Sequence, residues 1–121
     1  MITEDYVSFE TAKLLKGKGF DVCCMAVYSL QGQFNNPASV FSLKNNEFIY
    51  APTLQLAMKW LREVHKLSIE LYVDYGLDDE SWWSVDVGKI KKGGLIDALT
   101  GYRSYEEACE AAIKYCLENL I

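Results

Sequence analysis

Histidine is almost missing from this sequence: His65 is the only one among 121 residues. Catalysis through one imidazole requires an acid or a nucleophile that the fold brings to it. Metal-binding patterns are missing as well. There is no Cys-x-x-Cys pair, and Cys109 and Cys116 stand seven apart, which gives no zinc knuckle. The acidic stretch from Asp74 to Asp86 lacks the D-x-D-x-D-G order of a calcium loop. Gly93-Gly94 is not followed by the lysine and hydroxyl residue of a phosphate-binding P-loop. No metal and no cofactor is therefore expected. No apolar run approaches the roughly 18 residues that span a bilayer. Met1-Ile2-Thr3-Glu4-Asp5 is acidic where a secretory leader is cationic. A cytoplasmic protein without a membrane partner is expected. Internal repeats and low-complexity tracts are also absent.

What remains is material for a packed core. Half of the residues are hydrophobic, 24% are charged and 13% are aromatic, which excludes a disordered chain. This length suits one compact domain, 1–121, burying roughly two-thirds of its unfolded surface. Cys109 and Cys116, on one helix, lie about 10 Å apart along its axis, too far for a disulfide. Together with Cys23 and Cys24 they are expected to be reduced. Charge is uneven. Residues 1–60 carry five lysines and five acids, whereas residues 61–121 carry seven bases and twelve acids, giving the net −5. An acidic second half does not suit nucleic acid or an anionic membrane, so neither is expected as a partner.

The patterning predicts three helices. Ser104 and Glu107 have capping-box spacing, each side chain satisfying a backbone N–H of the other. Behind them Ala108, Cys109, Ala112, Ile113, Cys116, Leu117 and Leu120 form an apolar stripe. The terminal Leu120-Ile121 is expected to be tied down. Near the other end, Ser8 caps a short helix with Phe9, Ala12 and Leu15 on its apolar edge. Gly19 and Phe20 supply a Schellman ending, and Gly17 weakens the last turn. A third helix follows Pro52-Thr53, with Thr53 as N-cap and Leu54, Ala57, Met58, Leu61 and Val64 as its buried stripe.

Strands are read between them. Val22 to Tyr28 is an unbroken apolar run of strand length, expected to be buried on both faces. Gln31 to Ser39 is polar and reads as a loop, and Asn45-Asn46 suits a tight turn between Val40–Leu43 and Glu47–Tyr50. Ile69, Leu71, Val73 and Tyr75 alternate with Ser68, Glu70, Tyr72 and Asp74. Trp83, Val85 and Val87 alternate with Ser84, Asp86 and Gly88, so the strands at 68–75 and 82–90 form an antiparallel hairpin. Lys91-Lys92-Gly93-Gly94 breaks it, and Leu95 to Leu99 suits either a strand or a helical turn. The expected fold is α+β, three helices packed on a small, mainly antiparallel β-sheet.

Three segments also carry a likeness. They are Val7 to Leu15 with Gly19-Phe20, Ala51 to Ala57 with Trp60 to His65, and Tyr105-Glu106-Glu107-Ala108. In this order they resemble a family of short uncharacterised proteins from Bacteroidales genomes, often found near prophages and other mobile elements. The resemblance implies a mobile-element setting and no particular activity, since its motifs are helix starts and helix faces. Gly17 stands where a polar residue is expected, which touches no known site.

Candidate chemistry is sparse. His65 at a helix end has a structural use, because the macrodipole favours a protonated imidazole there. Cys23 or Cys24 can supply a thiolate, but free cysteine serves more often as a small buried hydrophobe. Trp82 and Trp83 face opposite sides of one strand; Trp82 beside Tyr72 is a candidate interaction patch, or the 31–39 loop covers it, which is the favoured reading. Lys89, Lys91 and Lys92 form a small basic cluster that a single-stranded nucleic acid can use, or that simply solvates a strand end. The reading favoured by these absences is a non-catalytic accessory or protein-binding domain of a phage or mobile element. Its partner is another protein or a second copy. A thiol- or histidine-dependent enzyme and a single-stranded nucleic-acid binder are the alternatives.

Overall fold

A computed structural model describes residues 2–38, 47–91 and 94–121. The fold is α+β: the described residues form three helices and two three-stranded antiparallel sheets. The chain packs into two compact units, Met1–Ala57 and Met58–Ile121.

In the first unit, helix α1 (Phe9–Gly17) begins as its sequence dictates. Ser8 is extended, and its hydroxyl accepts from the Thr11 N–H at 3.2 Å. The ending is a Schellman motif: Gly19 takes φ +92, its N–H donates to Lys16, and the Phe20 N–H donates to Leu15 at 3.0 Å. Leu15 and Phe20 are both buried. Three short strands follow, β1 (Val27–Ser29), β2 (Phe34–Asn35) and β3 (Phe48–Tyr50), in the order β2-β1-β3. Helix α1 packs on β3.

Two expectations change here. The run from Val22 to Tyr28 is not one buried strand: β1 begins only at Val27, Cys23 is exposed, and Met25 is 75% exposed. Prolines account for this. Continuing β1 backwards sets it beside Pro37 on one side and Pro52 on the other, and neither has an N–H for the ladder. The last sheet-like bonds are Ala51 N–H to Ala26 O and Ala38 N–H to Met25 O. Second, the polar segment 31–39 is not all loop, because Phe34–Asn35 pairs with Val27 and Tyr28. The Asn45-Asn46 turn and Val40–Leu43 lie outside the described residues.

Helix α2 (Leu54–His65) starts at Thr53, whose hydroxyl accepts from the Leu56 N–H at 3.1 Å. Leu54, Ala57, Met58 and Leu61 are buried as expected. Val64 is not: it is 56% exposed, while Trp60, one turn earlier, is buried. Lys66, at φ +57, then turns the chain from helix to strand.

The second unit contains the longer sheet, β4 (Leu67–Tyr75), β5 (Ser81–Lys89) and β6 (Gly94–Tyr102), in sequential order. The acidic turn closes with Gly76 N–H donating to Glu80 O at 2.9 Å, while Asp78 and Asp79 take positive φ. Leu95 to Leu99 is strand, which settles its two readings. Gly101 at φ +91 sits where β6 carries an extra residue between the pairs Trp83↔Tyr102 and Val85↔Leu99, a bulge. Helix α3 (Tyr105–Asn119) packs on all three strands, most extensively on β5. Ser104 accepts from the Glu107 N–H at 3.1 Å, contributing about 1 kcal/mol. The return bond differs from a standard capping box: the Glu107 carboxylate reaches the Arg103 N–H rather than that of Ser104. Ala108, Cys109, Ala112, Ile113, Cys116 and Leu117 are buried, while Leu120 is only half-buried because the helix stops at Asn119.

Candidate functional site

Alternation in β4 and β5 sends Trp83, Val85 and Val87 to the α3 side, where Trp83 meets Tyr105 edge-on at 5.4 Å. The opposite face carries Tyr72 across from Ser84, Asp74 across from Trp82, and Glu70 across from Asp86. A directed chain of hydrogen bonds crosses it. The Trp82 indole N–H donates to Thr100 Oγ1 at 2.9 Å, and Ser84 Oγ donates to Asp74 Oδ2 at 2.7 Å. The Thr100 and Ser84 hydroxyls are 2.7 Å apart, so Thr100 donates and Ser84 accepts. Every member of this chain is satisfied, which fixes the half-buried indole in place. The ring also packs over Gly76, where an added Cβ would stand 2.9 Å from Trp82 Cζ3.

Tyr72 is 38% exposed and donates to Asp86 Oδ1 at 3.0 Å. That bond raises the hydroxyl above the ordinary tyrosine range, with desolvation and the Asp86 and Asp74 charges adding to it. Beside it lies a groove of about 440 Å³, bordered by Glu70, Asp86, Gly88, Lys89 and Leu95. The arrangement can present an aromatic anchor, hydroxyls and carboxylates to a ligand. Ser84 has no accessible surface, and its proton is committed to a carboxylate rather than an imidazole.

Each of the sequence-predicted reactive residues has its own local surroundings. Cys24 donates to the Val22 carbonyl of its own segment at 3.3 Å, and burial lifts its thiol to about 11. Cys23 is exposed and shares a hydrogen bond with the Tyr50 hydroxyl, which raises the tyrosine above its ordinary range. His65 meets Trp60 edge-on at 4.7 Å, and its buried Nε2 has no hydrogen-bond partner among the described residues. No group of three or more histidine, cysteine or acidic residues is placed to hold a metal ion among the described residues. Nor is any helix there long and apolar enough to cross a membrane. Lys89 and Lys91 are exposed at the far end of β5, and Lys92 lies outside the described residues.

These environments predict a thiol titration. Burial pushes Cys109 to about 11 and Cys116 to about 12, against an ordinary 9.0. A thiol with a folded pKa two units high has roughly 100-fold less thiolate near neutral pH. A disulfide-exchange reagent added to the native protein should therefore find one fast thiol, and four after denaturation. Cys23→Ser should remove the fast phase, and its survival would show that another thiol is accessible.

Comparison with protein-family models, curated proteins and solved structures gives no match. The site therefore has to be read from its own geometry. Sequence alternation placed Trp82 and Tyr72 on one face. It missed Thr100, which follows the segment with two readings and was assigned to no element, and the opposition of Glu70 to Asp86, which needed the register.

Proposed function

We propose that this chain is a small non-catalytic protein-binding module, acting through the face of the β4–β5–β6 sheet that carries Trp82 and Tyr72. The supporting observation is the locked indole. Interfaces draw most of their energy from aromatic anchors, and an anchor already held by its neighbours loses little entropy on binding. The Trp82–Thr100–Ser84–Asp74 chain supplies that hold on the side of the sheet opposite α3. The likeness of the three helix segments to Bacteroidales mobile-element proteins supports an accessory role in a phage or mobile element, in the cytoplasm. The test compares two baits, the wild-type chain and Trp82→Ala, in affinity capture from a host lysate. A protein retained by the first and lost by the second supports the reading, and a second copy of the chain counts as such a protein. Partners retained equally by both would end it.

A further inference from the structure

The outer edge of β6 is open. Among the described residues β6 pairs only with β5, and seven of its nine residues are exposed, against three of nine in β4 at the other edge of the sheet. An edge strand is a ready template for another strand, and charge or proline usually blunts it. Strand β4 carries Glu70 and Asp74, whereas Gly94 to Tyr102 holds no proline, no lysine and a single charge, Asp97. The two irregularities of β6 lie toward its ends and leave Asp97, Ala98 and Leu99 in regular pairing with Val87, Asp86 and Val85. A local guard stands at this centre. The Asp97 carboxylate accepts from the Ala98 N–H at 2.8 Å, which marks that N–H as an outer-edge group, since a ladder N–H would go to a β5 carbonyl. The Tyr115 hydroxyl of α3 donates to the same carboxylate.

We infer that β6 is a self-pairing edge: the β6 strands of two copies join antiparallel about Ala98, and Asp97 restrains the union. Register and charge select this occupant. A two-fold axis pairs residues equidistant from one centre. About Ala98, Asp97 meets Leu99, and both lie on the α3 side of the sheet with their partners Val87 and Val85. Ile96 then meets Thr100, both β-branched, and Leu95 meets Gly101. About Asp97, two carboxylates would oppose each other, and Leu95 would meet Leu99 from the opposite face. Once Asp97 lets go, the Ala98 N–H donates to the Ala98 carbonyl of the second copy. The dimer closes, because it consumes both β6 edges and leaves outermost the β4 edges with their carboxylates. A nine-residue strand is about 30 Å long and a sheet about 10 Å thick, so each copy buries roughly 300 Å², well short of the roughly 800 Å² of a standard interface. The association is therefore weak and reversible.

Sedimentation velocity on the full chain tests this, over the range of about 10 µM to 1 mM where weak interfaces associate. The wild-type chain should pass reversibly from monomer toward dimer and no further. Asp97→Ala frees the central N–H and should tighten the dimer about fivefold, the worth of one net hydrogen bond. Glu118→Ala removes the same charge from α3 and should stay within about twofold. Ala98→Lys faces Asp86 within its own sheet, which suits the folded monomer, but sets two ammonium groups against each other across the axis. It should weaken the dimer at least about tenfold. An equal mixture of Ala98→Lys and Ala98→Glu should restore the dimer, which also shows that both variants fold. The inference is overturned by a chain that stays monomeric with and without Asp97, by an Asp97→Ala dimer no tighter than wild type, or by an Ala98→Lys dimer as tight as wild type. A mixture that fails to pair, or open-ended assemblies, would overturn it too. Trp82→Ala should dimerise as wild type does; a dimer lost there would mean that copies meet through the indole face and not through β6.

Discussion

Gly88→Ala is expected to destabilise the protein by about 1–3 kcal/mol, and the same substitution at Gly17 to stabilise it by about 0.4–1 kcal/mol. The contrast isolates packing, because both changes add one methyl and both stiffen the unfolded chain. At Gly88 the methyl carbon would stand 2.5 Å from the Gly94 carbonyl oxygen, 3.3 Å from its carbon and 3.5 Å from the Leu95 Cα. All three atoms are backbone, so relief requires moving β6 away from β5 rather than turning a side chain. The register shift between Val87 and Gly88 is where the two strands come this close. At Gly17, the last residue of α1, nothing lies within 4 Å of the added carbon, and the gain in helix propensity goes unopposed. Denaturant midpoints at constant slope measure both. A Gly88→Ala protein as stable as wild type would show that β6 does not pass over this residue.

The close approach at Gly88 could not be read from the sequence, and the reason shows what periodicity encodes. Alternation in Ile69 to Tyr75 and in Trp83 to Val87 assigned faces correctly, because a period of two is fixed by the pleat of any strand. Caps were legible for the same local reason: Ser8, Thr53 and Ser104 each hold an N–H three residues on. Failures came where a remote partner decides. Val22 to Met25 has strand composition, yet Pro37 and Pro52 deny it neighbours. Val64 has helical spacing from Leu61, yet it is 56% exposed in the last turn of a helix that ends at His65. At the site, Trp82 and Tyr72 were visible as exposed-face aromatics. The Thr100 and Ser84 hydroxyls that fix the indole come from β6 and β5, and their meeting follows from the register that pairs Asp86 with Ala98 and Val85 with Leu99.

Ile113→Ala should cost about 2–5 kcal/mol, a large share of the roughly 5–15 kcal/mol that holds a domain of this kind together. Ile113 has no accessible surface and lies mid-helix on the buried stripe of α3, between Cys109 and Cys116, both also fully buried. Beside the small alanines and cysteines of this stripe, Ile113 and Leu117 are its large buried aliphatic groups, so losing one removes much of the volume the helix packs. Glu118, exposed on the same helix, is the control: its change to alanine should stay within about 0.5 kcal/mol. The defect should reach the binding face through the strand both share, since Val85 under α3 alternates with Ser84 and Asp86 on the other side. Ile113→Ala should therefore weaken amide protection along β5, as hydrogen exchange would record. Full β5 protection in a protein destabilised this far would mean that α3 and the sheet unfold independently, and the indole on the opposite face would then owe nothing to the helix behind it.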